Sequence, residues 1–118
     1  MASRPSVLFV VDSDPKSSHR PAEATRIAAG IAAWGRADVS VCFCGPAVAA
    51  LTEWPEDLID GDNFERFLPA IAKSGGLIAA LAAAESGNAN APRVVDHSTL
   101  KADELAALSV RATQLLRF

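Results

Sequence analysis

The chain has 118 residues, half of them hydrophobic, and a formal net charge of -3. That length suits one domain that buries about two-thirds of its unfolded surface without a disulfide or metal staple. The mild acidity, with no run of Lys or Arg, excludes an electrostatic footprint for nucleic acid or an anionic membrane.

The first apolar run, Val7 to Val11, stops at Asp12 and falls short of the roughly 7 to 15 residues of a signal-peptide core. No segment approaches the roughly 20 apolar residues of a membrane span. A cytoplasmic location is expected, with proteins or small molecules as partners. Neither nucleic acid nor membrane is expected.

Ser6 to Val11 (SVLFVV) reads as a strand central to a parallel sheet, because it is continuous and β-branched with no solvated face. Asp12-Ser13-Asp14-Pro15 ends it in a turn, and a polar loop runs through His19 and Arg20. Pro21 opens a helix, with Glu23 in the first turn where the positive helix end favours an anion. Ile27, Ile31 and Trp34, flanked by Ala24 and Ala28, form its predicted apolar stripe, and Gly35 closes it.

Residues 37–51 (ADVSVCFCGPAVAAL) organise the chain: a strand buried on both faces enters a short helix through Gly45-Pro46. Cys42 and Cys44, the chain's two cysteines, leave the same face of that strand and are poorly placed for a mutual bridge. They read first as buried thiols filling small core spaces. Trp54, Leu58 and Ile59 follow in an acidic stretch, placed to pack under a loop or to meet another subunit.

Asp62 and Glu65 have the spacing of a capping box, and Phe64, Phe67, Leu68 and Ile71 supply a helical stripe. Pro69 predicts a kink or restart in that helix. After Gly75-Gly76, residues 77–84 (LIAALAAA) favour a helix by local propensity, yet their place after a glycine-closed helix reads as a central strand. Residues 85–92 are a loop by composition, and 93–96 (RVVD) read as a fourth strand. Ser98 and Thr99 offer caps to a helix through Leu105 and Leu108, and residues 113–118 (TQLLRF) read as an edge strand. Five strands separated by helices predict a three-layer α/β/α sandwich, a single domain over residues 1–118, with right-handed crossovers.

Ligands of an open parallel sheet collect at the carboxyl ends of its strands. The candidates there are Asp12, Ser13, Asp14 and His19 after strand one, and Cys44 and Gly45 after strand two. Glu85, Ser86 and Asn88 follow strand three, and Asp96 and His97 follow strand four. Cys44 is the candidate nucleophile, since a helix opening at Gly45-Pro46 would lower its pKa. Asp12, Asp14 and a histidine have donors for a divalent ion, but no spacing fixes them, and no cofactor or resident metal is expected.

VLFVVDSDP, the helix into ADVSVCFCGPAV, and ADELAALSVRATQLLRF together resemble the DsrE/DsrF-like family, small sulfur-relay proteins that share the YchN-like fold. The resemblance implies a five-stranded parallel sheet and a symmetric homo-oligomer, a trimer or hexamer. Sulfur-transferring members accept a persulfide on a cysteine at or just after the third strand, and residues 79–87 here contain none. The implied function is therefore an oligomeric module binding a protein or small ligand at a subunit boundary. One alternative is a sulfur carrier or transferase that uses Cys44. Another is a receiver-like phosphoacceptor, which VLFVVDSDP and Lys101 resemble, with Asp57 or Asp60 as its acid.

Overall fold

The computed structural model describes residues 4–82 and 95–118. Five parallel strands form one sheet: β1 (Ser6–Val11), β2 (Asp38–Phe43), β3 (Leu77–Leu81), β4 (Ser98–Leu100) and β5 (Gln114–Arg117). Their order is β4-β3-β2-β1-β5, so the chain steps one way through the first four strands and then returns to the far side of β1. Right-handed crossovers in that order put α1 (Arg20–Trp34) and α3 (Gly61–Lys73) on one face and α4 (Ala102–Arg111) on the other. The result is the predicted α/β/α sandwich. Among the described residues, no helix is long and apolar enough to cross a membrane.

The core lies between the sheet and the α1/α3 layer. Phe9, Val11, Val39, Val41, Phe43, Ile78 and Ala80 point into it and meet Ala24, Ala28, Phe64, Leu68 and Ile71. The alanines of β3 are strand residues, since Ile78, Ala79 and Ala80 pair with Val41, Cys42 and Phe43. Tertiary pairing overrides their helical propensity because small side chains fit a central strand covered on both faces.

Several expectations are corrected. The buried face of α1 is its alanine face (Ala22, Ala24, Ala28, Ala29, Ala32), while Ile27 and Ile31 are half-buried and Trp34 is exposed beneath Arg36. Small residues let α1 approach α3 closely, which pushes the bulkier side chains to the rim of the contact. Pro69 lies within an unbroken α3 on its exposed side, where solvent can take the carbonyl it leaves unbonded. That helix starts from Asp60 in a left-handed conformation (φ 54°), with no side-chain cap, so the Asp62/Glu65 box is not used. Leu58 packs into the core, whereas Trp54 and Ile59 stay exposed.

The fourth strand is Ser98–Leu100, not residues 93–96; residues 93 and 94 lie outside the described residues, and Val95 and Asp96 are in neither strand nor helix. Cross-strand pairing of Ser98, Thr99 and Leu100 with Ala79, Ala80 and Leu81 decides this. Ser98 and Thr99 are thus strand residues, and α4 is capped at Lys101, whose backbone N–H donates to the Glu104 carboxylate at 3.0 Å.

The second face is covered differently. Leu8, Cys42 and Ala79 on it are buried, and α4 crosses its amino-terminal half over a cavity of about 200 Å³ lined by Ser6, Leu8, Ser40 and Leu108. None of the α4 residues is buried: Leu105 and Leu108 are half-covered and Val110 is 86% exposed. Leu115 of the neighbouring edge strand is 47% exposed.

Candidate functional site

The carboxyl rim is built where β1, β2 and β5 end. Val11 carbonyl accepts the Cys44 N–H at 2.8 Å, which extends the β1–β2 pairing one residue past Phe43 and fixes Cys44 at the strand end. Gly45 then turns the chain with a positive φ of 55°, which a residue without Cβ adopts at little cost. On the other side the Phe118 carbonyl accepts the N–H groups of Asp12 (2.9 Å) and Ser13 (3.3 Å), so β5 holds the loop after β1 in place.

The charged centre of this rim is a pair that crosses from β1 to β5. Arg117 Nε and Nη2 both donate to one carboxylate oxygen of Asp12, at 2.8 and 2.6 Å. The register places Arg117 beside Val10, on the same sheet face as Cys42 and Cys44. Arg20 joins from the start of α1: Nη2 donates to the Arg117 carbonyl at 3.3 Å, and its guanidinium lies 5.8 Å from the Phe118 ring centre.

Beside this pair lie the two thiols. Cys42 is 1% exposed and Cys44 half-buried, and their Sγ atoms are 3.9 Å apart. Either sulfur can donate while both are thiols, but once Cys44 ionises the Cys42 thiol is the donor, and that hydrogen bond holds the Cys44 pKa below the usual thiol value. Burial and the Asp12 carboxylate oppose that shift, and Arg117 assists it. Cys42 is pushed well up by the same hydrogen bond, by burial and by the charge on Cys44. As expected of residues two apart on one strand, the two side chains share a face, and both thiols are free.

A second concavity, of about 220 Å³, opens beside Gly45 and is lined by Asp14, Lys16, Pro46, Ala49 and Glu53. Asp14 is fixed there by its own turn, with Oδ1 accepting the Lys16 N–H at 2.9 Å. Lys16 Nζ lies 4.0 Å from Glu53. The structure thus brings Asp12, Ser13, Asp14, Cys44 and Gly45 to one rim. His19 is exposed at the start of α1, and its side chain makes no cap hydrogen bond.

Asp96 and His97 lie ahead of β4, at its amino end, because that strand begins at Ser98. They lead into the strand and do not sit on the carboxyl rim. Glu85, Ser86 and Asn88 lie outside the described residues. Among the described residues no three His, Cys, Asp or Glu side chains gather to hold a metal ion, so Asp12, Asp14 and a histidine are not assembled into one. Asp57 ends a short turn and Asp60 precedes α3, so neither supplies the acid that a receiver-like domain carries after its third strand.

Arg117 and Arg20 are the rim residues that sequence reasoning missed. The signal was the edge strand TQLLRF itself: once it pairs in parallel with β1, its last residues must reach the same rim as Asp12.

This sheet order and helix arrangement define the YchN-like α/β class, the fold of the DsrE/F-like proteins. The chain is similar to the crystal structure of the ychN protein from E. coli, with a TM-score of 0.79 and 18% identity over 97% of this chain and 99% of that one. No family model matches the sequence, and no curated protein does.

Proposed function

We propose that the chain is a homo-oligomeric DsrE/F-like module of the cytoplasm, a trimer or hexamer, that binds a protein or small ligand at a subunit boundary without the persulfide step. The reading rests on the face that carries α4. A helix with no buried residue, an apolar Val110 standing in solvent and a half-exposed Leu115 on the next edge strand make a surface that one chain leaves unfinished. Sulfur-transferring members of the resembled family carry their thiolate after the third strand, whereas this chain's cysteines are Cys42 and Cys44, on β2 and at its end. Light scattering of the purified full chain tests the assembly: a mass of three or six chains is expected, and a monomer at every concentration overturns the reading.

A second reading, a sulfur carrier acting through Cys44, is favoured by the rim position of that thiol and by the Cys42 hydrogen bond that lowers its pKa. Its test is incubation with a persulfide donor followed by mass analysis. A gain of one sulfur on Cys44 supports it, and an unchanged mass removes it.

A further inference from the structure

We propose that Cys42 and Cys44 form a two-thiolate binding site for a soft monovalent metal ion, copper(I), open at the rim on the Cys44 side. This site stands independently of the assembly proposed above.

The geometry comes from the strand. Two residues apart, the Cys42 and Cys44 side chains share a face, and their sulfurs approach to 3.9 Å. The strand rise sets their Cα atoms about 6.6 Å apart, at the long end of the roughly 4.4–6.8 Å that a disulfide spans. A direct bridge would strain β2, whereas an ion between the sulfurs would not. Taking the zinc–thiolate bond of about 2.3 Å as the scale, the 3.9 Å separation gives a sulfur–metal–sulfur angle of about 116° with no movement of either side chain. That is close to trigonal and leaves a third position open.

The donor set selects the ion. Thiolate sulfur is soft and disfavours magnesium, calcium and manganese. Structural zinc takes four protein ligands, and among the described residues no third His, Cys, Asp or Glu joins the pair. Copper(I) has a filled d shell and accepts two or three thiolates. Binding transfers no electron: the ion stays monovalent, two metal–sulfur bonds form, and the thiol protons still present leave to solvent. The complex carries one net negative charge, which Arg117 offsets in part against the Asp12 carboxylate, both being felt at Cys44. Burial of Cys42 keeps one side of the site dry, and the half-buried Cys44 gives an incoming chelate or donor thiol its approach.

The test is an anaerobic titration of the full chain with copper(I) against a chromophoric copper(I) chelator. One ion per chain is expected, with a thiolate-to-copper absorption band in the near ultraviolet. Cys44→Ser and Cys42→Ser should each weaken binding more than about tenfold, the loss of one of two ligand bonds. Copper left wholly with the chelator overturns the proposal, as does wild-type affinity in either variant. Because Cys42→Ser alters a buried position, copper-edge X-ray absorption of the loaded wild-type chain gives a second measurement. A sulfur shell near about 2.3 Å is expected, and a shell of nitrogen and oxygen alone overturns the site.

Discussion

Val110→Ala separates an isolated chain from an assembled one. The change deletes two carbons, worth about 0.8 kcal/mol each when buried. In one chain 86% of Val110 already faces solvent, so almost nothing is lost. Replacing a β-branched helix residue with alanine then gains up to about 0.5 kcal/mol. Covered by a second copy, the same exposed fraction makes the lost burial cost about 1.4 kcal/mol per chain, or about 0.9 kcal/mol net of the same helical gain. An unfolding entropy of about 2.1 cal/mol/K per residue over 118 residues makes 1 kcal/mol equal to about 4 °C. The assembled protein should therefore melt about 4 °C lower, and the isolated chain slightly higher. Calorimetry over a concentration series, paired with light scattering, reads both the shift and its dependence on mass action. A variant that melts at or above the wild type at every concentration, with unchanged mass, refutes the idea that this helix is covered by another copy.

Other outcomes are equally specific. A Cβ on Gly61 would lie 1.7 Å from the Pro55 carbonyl oxygen, which is backbone and cannot swing away; Gly61→Ala should cost about 1–3 kcal/mol, and melting within a degree of wild type would show that the Pro55–Gly61 approach is misjudged. Iodoacetamide labelling of Cys44 should rise with pH to a plateau, with a midpoint below the usual value of about 8.5. Cys42→Ala should move that midpoint up by removing the donor, and Asp12→Asn should move it down by removing the opposing charge; either shift in the reverse sense contradicts the assigned causes. Phe43 is fully buried between β2 and the α1/α3 layer, and Phe43→Ala should cost about 3–5 kcal/mol in chemical denaturation. A loss below about 1 kcal/mol would mean that the core repacks around the void.

The strands that were legible in the sequence are those whose own residues favour extended backbone: SVLFVV, DVSVCF and QLLR all lie where they were expected. LIAAL was harder, since its alanines favour a helix and only the fit between two helical layers makes them a strand. β4 was misplaced because Ser98, Thr99 and Leu100 look less strand-like than RVVD, and pairing with β3 outweighs propensity there. That single slip moved Asp96 and His97 from one end of the sheet to the other. Asp12, Asp14, Cys44 and Gly45 were legible as strand-end residues. Arg117 was not, because its place beside Asp12 depends on strand order, and no local pattern reveals that the last strand returns to the first. The convergence of the two sulfurs was equally hidden, because it depends on side-chain direction at a strand end.

The return of β5 to β1 has a consequence for synthesis. Ser6 and Thr113 exchange hydrogen bonds across 107 positions, and the Phe118 carbonyl holds Asp12 and Ser13. A nascent chain interrupted ahead of Gln114 leaves the outer edge of β1 bare, with its amides and carbonyls ready to pair with any extended peptide nearby. Fragments that stop early should therefore coagulate, whereas β5 replaces the six-residue edge of β1 with its own shorter one of four.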